Sequence, residues 1–65
     1  MEEIKLSIGR QINRQRKFIG LTQMELAVKI GKTTNYVGYV ERDERKPRPF
    51  DLANIEKELD FKVHL

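Results

Sequence analysis

The sequence predicts an all-α domain of four short helices followed by a short strand-like tail. Two observations carry that reading: apolar residues recur at three- and four-residue spacing along most of the chain, and only Phe61 to Leu65 alternate with period two. Glycines and prolines break the helical pattern at Gly20, Gly31, Pro47 and Pro49. At 65 residues the chain is one domain, 1–65. A chain of this size buries only about 60% of the surface it exposes when unfolded, so an added source of burial such as oligomerisation is expected.

The composition narrows the function classes. There is no cysteine, which excludes disulfides and thiolate metal sites, and the single His64 cannot build a zinc site by itself. One histidine and no glycine-rich phosphate loop leave no catalytic set, so neither an enzyme nor a cofactor is expected. No apolar run approaches the ~20 residues of a membrane span, and Met1-Glu2-Glu3 lacks the basic start of a signal peptide. A cytoplasmic location, nucleoid-associated in a bacterium or phage, with no membrane partner, is the expectation. The net charge of +3 is modest, but the basic residues gather in Arg10 to Lys17 and Arg42 to Arg48.

The first helix should start between Glu3 and Ser7 and run to about Phe18, because Ile4, Ile8, Ile12 and Ile19 recur at helical spacing. Gly20 stops it. Arg10, Arg14 and Lys17 form one stripe, either a solvated face or a set of phosphate contacts. Arg16 follows Ile12 by four residues and so points to the core side, where a guanidinium requires a carboxylate partner.

The second helix has a capping-box start, with Thr22 as N-cap, Glu25 three residues on, and Leu21 placed to staple against Leu26. It should cover Gln23 to Ile30, with Leu26, Ala27 and Ile30 inward, and end at Gly31 in a left-handed turn. Thr33 then caps a third helix running to about Arg42. Val37 and Val40 define its buried side and Glu41 flanks it, whereas Asn35, Gly38, Tyr39 and Arg42 face outward. An amide, a glycine, an aromatic and an arginine are unusual choices for a merely soluble surface, and they suggest a reading face.

Asp43 to Pro49 is a loop, since two prolines and a charge run prevent continued helix. The fourth helix should run from Pro49 or Phe50 to Leu59, with Leu52, Ile55 and Leu59 in register and Asp60 at its end. No other segment reads as a strand, so the simplest partner for Phe61 to Leu65 is the same strand of a second copy, with Phe61, Val63 and Leu65 at the dimer interface.

Ala27, Gly31, Val37 and Val40 resemble the four structural positions of the helix-turn-helix of the phage repressor and Cro family, also called the Xre family, here spanning 22–42. Arg16-Lys17, Gly20 to Gln23, Glu41-Arg42 and Leu52, Ile55 and Leu59 extend the likeness over about residues 8 to 60. The resemblance implies a lambda-repressor-like fold, an internal ion pair between Arg16 and Glu41, and a phosphate contact from Gln23. It implies DNA-facing roles for Thr33, Thr34, Asn35, Gly38 and Tyr39, and backbone contacts from Arg42 through Arg48, including Arg45 and Lys46. Asp43 and Asp60 depart from the family, standing where glycine is common. Asp43 must therefore either adopt a left-handed conformation or change the turn. The strand-like tail is similar to that of the short HipB-like antitoxins, which implies a homodimer and a toxin as further partner.

Read singly, Asn35 can pair bidentately with adenine, and Tyr39 can meet a thymine methyl, a sugar or a phosphate. Thr34 joins them as a base-reading candidate. Tyr36 sits between the two faces of its helix, so core packing and a phosphate contact both stay open. Thr33 is first a cap, Gly38 allows close approach to DNA, and Arg45, Lys46 and Arg48 are either phosphate contacts or a solvated charge run. His64 reads as an exposed strand residue. The expectation is a dimeric, sequence-specific regulator, a repressor binding double-stranded DNA at half-sites about 34 Å apart on a palindrome. The alternative is a protein-interaction module that has kept the fold and lost DNA binding.

Overall fold

A computed structural model describes residues 5–65 as four helices: α1 (Ile8–Ile19), α2 (Gln23–Ile30), α3 (Thr34–Glu41) and α4 (Pro49–Leu59). The expected early start of α1 at Glu3 or Ile4 lies outside the described residues. Ser7 stands just before the helix, as its N-cap, with its hydroxyl accepting the Arg10 N–H at 3.2 Å. Gly20 closes the other end at φ 90°, a conformation that favours glycine.

The capping box of α2 is complete: Thr22 Oγ1 accepts from the Glu25 N–H at 3.0 Å, and Glu25 Oε1 accepts from the Thr22 N–H at 2.8 Å. Gly31 makes the turn at φ 70°. Thr33 caps α3 by accepting the Tyr36 N–H at 3.1 Å. Where the family has glycine after the third helix, Asp43 takes the left-handed conformation, with φ 60°. Its carboxylate offers a compensation, accepting from Ser7 Oγ at 2.5 Å and from the Gly9 N–H at 3.0 Å, and so tying the end of α3 to the start of α1. The fit is close. A Cβ on Gly9 would stand 2.8 Å from the Glu41 carbonyl oxygen and closer still to that of Val40, so only glycine fits there. Asp60 ends α4 in the same left-handed way, at φ 54°.

Ile12, Leu26, Ala27, Ile30, Val37, Val40, Ile55 and Leu59 form one buried cluster, drawn from all four helices. α2 packs on both α3 and α4, and so does α1. This leaves the outer side of α3 uncovered, and it is there that the candidate site lies.

No strand forms among the described residues. The period-two pattern of the tail is used within one chain: Phe61 and Val63 are half-buried against the core, while Lys62, His64 and Leu65 are exposed. The backbone of the tail is also engaged. Glu56 accepts the Phe61 N–H through its carbonyl at 3.1 Å and the Val63 N–H through Oε2 at 2.8 Å. Gln11 accepts the His64 N–H at 2.8 Å and donates to the His64 carbonyl at 2.9 Å, the two bonds a neighbouring strand would make. Of the three residues expected at a dimer interface, Leu65 alone is left exposed by its own fold.

Candidate nucleic-acid interface

The side chains of α3 divide by angle. Val37, Val40 and Glu41 are buried, whereas Thr34, Asn35 and Tyr39, together with the flanking Thr33 and Arg42, are exposed. Glu41 fixes the helix from behind. Arg16 grips it with Nε at 2.6 Å from Oε2 and Nη2 at 3.0 Å from Oε1, and its remaining Nη1 donates to the Leu21 carbonyl at 2.8 Å. Oε1 also accepts from Asn13 at 2.8 Å and Gln23 at 3.1 Å. Burial pushes the Glu41 carboxyl up, but the hydrogen bonds from Arg16, Asn13 and Gln23 outweigh it and hold the group below the ordinary glutamate range. Asn13 escaped the sequence reading, although it stands one turn before Arg16 on the same side of the helix. Gln23, expected on a phosphate, has one amide hydrogen committed to Glu41.

Tyr36 had two open readings, and its placement is mainly internal. The ring packs against the core and the hydroxyl donates to Asp51 Oδ2 at 2.9 Å. Burial, with Asp51 beside it, raises the phenol above its usual range. The hydroxyl proton is therefore committed to Asp51 rather than free for a phosphate, which favours the core-packing reading of Tyr36. Asp51, buried in the first turn of α4, was also missed. It precedes Ile55 by four residues and Leu59 by eight, so the rule that found Arg16 would have found it.

Gly38 also departs from expectation. It is buried rather than open, because the Arg42 side chain folds back over it; a Cβ there would lie 3.0 Å from Arg42 Nη1. The Arg42 guanidinium stands 5.4 Å from the centre of the Tyr39 ring and is paired with Glu44, Nε to Oε2 at 3.3 Å. Arg42 is thus an exposed but partnered cation, and glycine at 38 makes room for its side chain.

Arg45, Lys46 and Arg48 are exposed on the loop that leads into α4. Arg45 stands over the Tyr36 ring at 5.7 Å, and Arg48 is the N-cap residue of α4. Arg10, Arg14 and Lys17 are exposed on α1. The resulting surface offers an amide, two hydroxyl side chains and an aromatic on a convex helix, flanked by cations. Such a set can meet base edges and phosphates.

The model of the helix-turn-helix family matches residues 12–64. Multi-protein-binding factor 1 of Yarrowia lipolytica is 34% identical over 61 residues, which make up 94% of this chain and 40% of that protein. The chain therefore spans less than half of that relative. Among solved structures, the Bacillus subtilis biofilm master regulator SinR in complex with DNA is 34% identical, with a TM-score of 0.80 over 89% of this chain and 94% of that one. The P22 c2 repressor with a synthetic operator superposes with a TM-score of 0.85 over 89% of this chain and 88% of that one, and at 24% identity it shows the shared fold. The chain belongs to the helix-turn-helix family, in its phage-repressor or Xre type.

Proposed function

We propose that the protein is a DNA-binding transcriptional regulator, acting as a repressor that reads a palindromic operator as a dimer. One observation carries this reading: Thr34, Asn35 and Tyr39 are exposed on the outer side of a helix whose inner side is held by Val37, Val40 and the Arg16–Glu41 pair. α3 enters the major groove, where Asn35 pairs with adenine and Thr34 and Tyr39 meet neighbouring base edges. Gln23, Thr33, Arg42, Arg45, Lys46 and Arg48 contact phosphates and set the register. SinR, similar to this chain, is seen bound to DNA, which supports the assignment.

Dimerisation through the tail exchanges the Gln11–His64 bonds for bonds to a partner strand and covers Leu65. The alternative surface is α4 with its loop, where Phe50 is exposed. An antitoxin role would add a toxin partner, and no described residue favours one. The second functional reading, an interaction module without DNA binding, draws on the exposed Phe18, Met24 and Val28.

A salt titration of binding to promoter DNA from the protein's own operon, against random duplex, separates the two. Regulation predicts affinity that falls steeply with salt and a preference of at least about a thousandfold for the operator. Asn35→Ala should lose about 1–3 kcal/mol at one base position, while Arg45→Ala should weaken all sequences alike. Equal binding to operator and random DNA refutes the regulator reading.

A further inference from the structure

Tyr36 joins three parts of the fold. Its hydroxyl donates to Asp51 of α4, and Lys32 Nζ lies 3.4 Å from the same carboxylate oxygen. Lys32 Nζ also stands 5.3 Å from the centre of the Tyr36 ring, and the guanidinium carbon of Arg45 stands 5.7 Å from it. Lys32 immediately precedes the N-cap of α3, and Arg45 lies on the loop that follows α3. Two cations gathered on one ring repel each other, and what holds them is the electron-rich ring, joined for Lys32 by the negative charge of Asp51. Asp51 is only 4% exposed, so its charge is largely removed from water and depends on Tyr36 and Lys32 for compensation.

We propose that Tyr36 is a positioning residue that holds Lys32 and Arg45 as a preset pair of phosphate-contacting cations, anchored from below by Asp51. The inference rests on the DNA-binding reading. It adds Lys32 to the contacts and gives Tyr36 and Asp51 a task that neither performs by touching DNA. Lysine and arginine lose more rotamer freedom on being fixed than most side chains. A ring that gathers them before DNA arrives reduces the ordering left for the binding step. Both cations stay accessible, since Arg45 is exposed and the Lys32 side chain is 39% exposed.

The test uses a random-sequence DNA duplex, because phosphate contacts carry no sequence information. Lys32→Ala and Arg45→Ala should each lower the slope of log affinity against log salt by about one. Tyr36→Leu, which changes no charge, should weaken binding by about three- to tenfold, a loss that largely disappears when Lys32 and Arg45 are already alanine. Tyr36→Phe keeps the ring and should restore most of the affinity. In the free protein, proton spectra should show the Lys32 and Arg45 side-chain resonances shifted by the ring and returned toward ordinary values in Tyr36→Leu. An equal loss from Tyr36→Leu in both backgrounds, or a slope untouched by Lys32→Ala, overturns the proposal. A wild-type chain with no salt-dependent DNA binding overturns the DNA reading itself, an outcome distinct from wild-type binding that ignores Lys32.

Discussion

Glu41 and Arg42 are neighbours in sequence but belong to two different arginine–glutamate pairs. Arg16–Glu41 closes at 2.6 Å with side chains 9% and 3% exposed, whereas Arg42–Glu44 closes at 3.3 Å with side chains 55% and 53% exposed. The chemistry is the same and the environments are opposite. In the first pair, lost hydration must be replaced group by group, which is what Asn13, Gln23 and the Leu21 carbonyl do. Among the described residues no buried side-chain nitrogen or oxygen is left without a partner. In the second pair water competes at every step, so Arg42 can exchange Glu44 for a phosphate at little cost. One residue along a helix thus separates a fixed joint from an exchangeable contact.

The contrast breaks most visibly at Arg16. Arg16→Met leaves the Glu41 charge buried without its main partner and should cost about 3–5 kcal/mol in urea unfolding, enough to leave a domain of this size largely unfolded. A loss below about 1 kcal/mol would mean that the buried pair behaves like a surface one.

Acid provides the next test. The folded Glu41 carboxyl titrates below its ordinary value of 4.5, so its contribution to stability is complete above that value and is lost as the pH falls through the folded value. Unfolding midpoints measured through this range should fall on acidification, and Glu41→Gln should flatten that part of the curve.

The smallest effect on folding belongs to the exposed pair. Glu44→Gln should change stability by no more than about 0.5 kcal/mol. It should nevertheless tighten binding to duplex DNA a few-fold at low salt, by removing a negative charge that competes for Arg42. Filter binding and urea unfolding on the same variant would show whether the two responses are separable.

Much of this organisation can be read from local pattern. The capping box at Thr22 and Glu25 spans a single turn, and Val37 and Val40 lie on one side of α3 by helical angle alone. The need of Arg16 for a carboxylate follows from its spacing to Ile12, and Glu41 meets that need across the fold. Asp43 could be recognised as a departure but not explained, because its partners, Ser7 and Gly9, lie at the start of another helix far along the chain. The burial of Gly38 is beyond a helical wheel, which shows where a side chain starts and not where that of Arg42 folds back. Alternation in the tail records which residues turn inward and says nothing about what receives the backbone. Here Gln11 and Glu56 receive it.

The contact between the Gly9 N–H and Asp43, at 3.0 Å, has a practical consequence. Amides in the first turn of a helix have no partner within that helix and ordinarily exchange their hydrogens quickly with solvent. The Gly9 amide is instead held by a residue just beyond the end of α3, so its exchange rate reports whether that end is in place. In a deuterium-exchange measurement, this one position near the start of the chain would act as a remote probe of the helix that faces DNA, slowing or quickening with the state of a surface it does not touch.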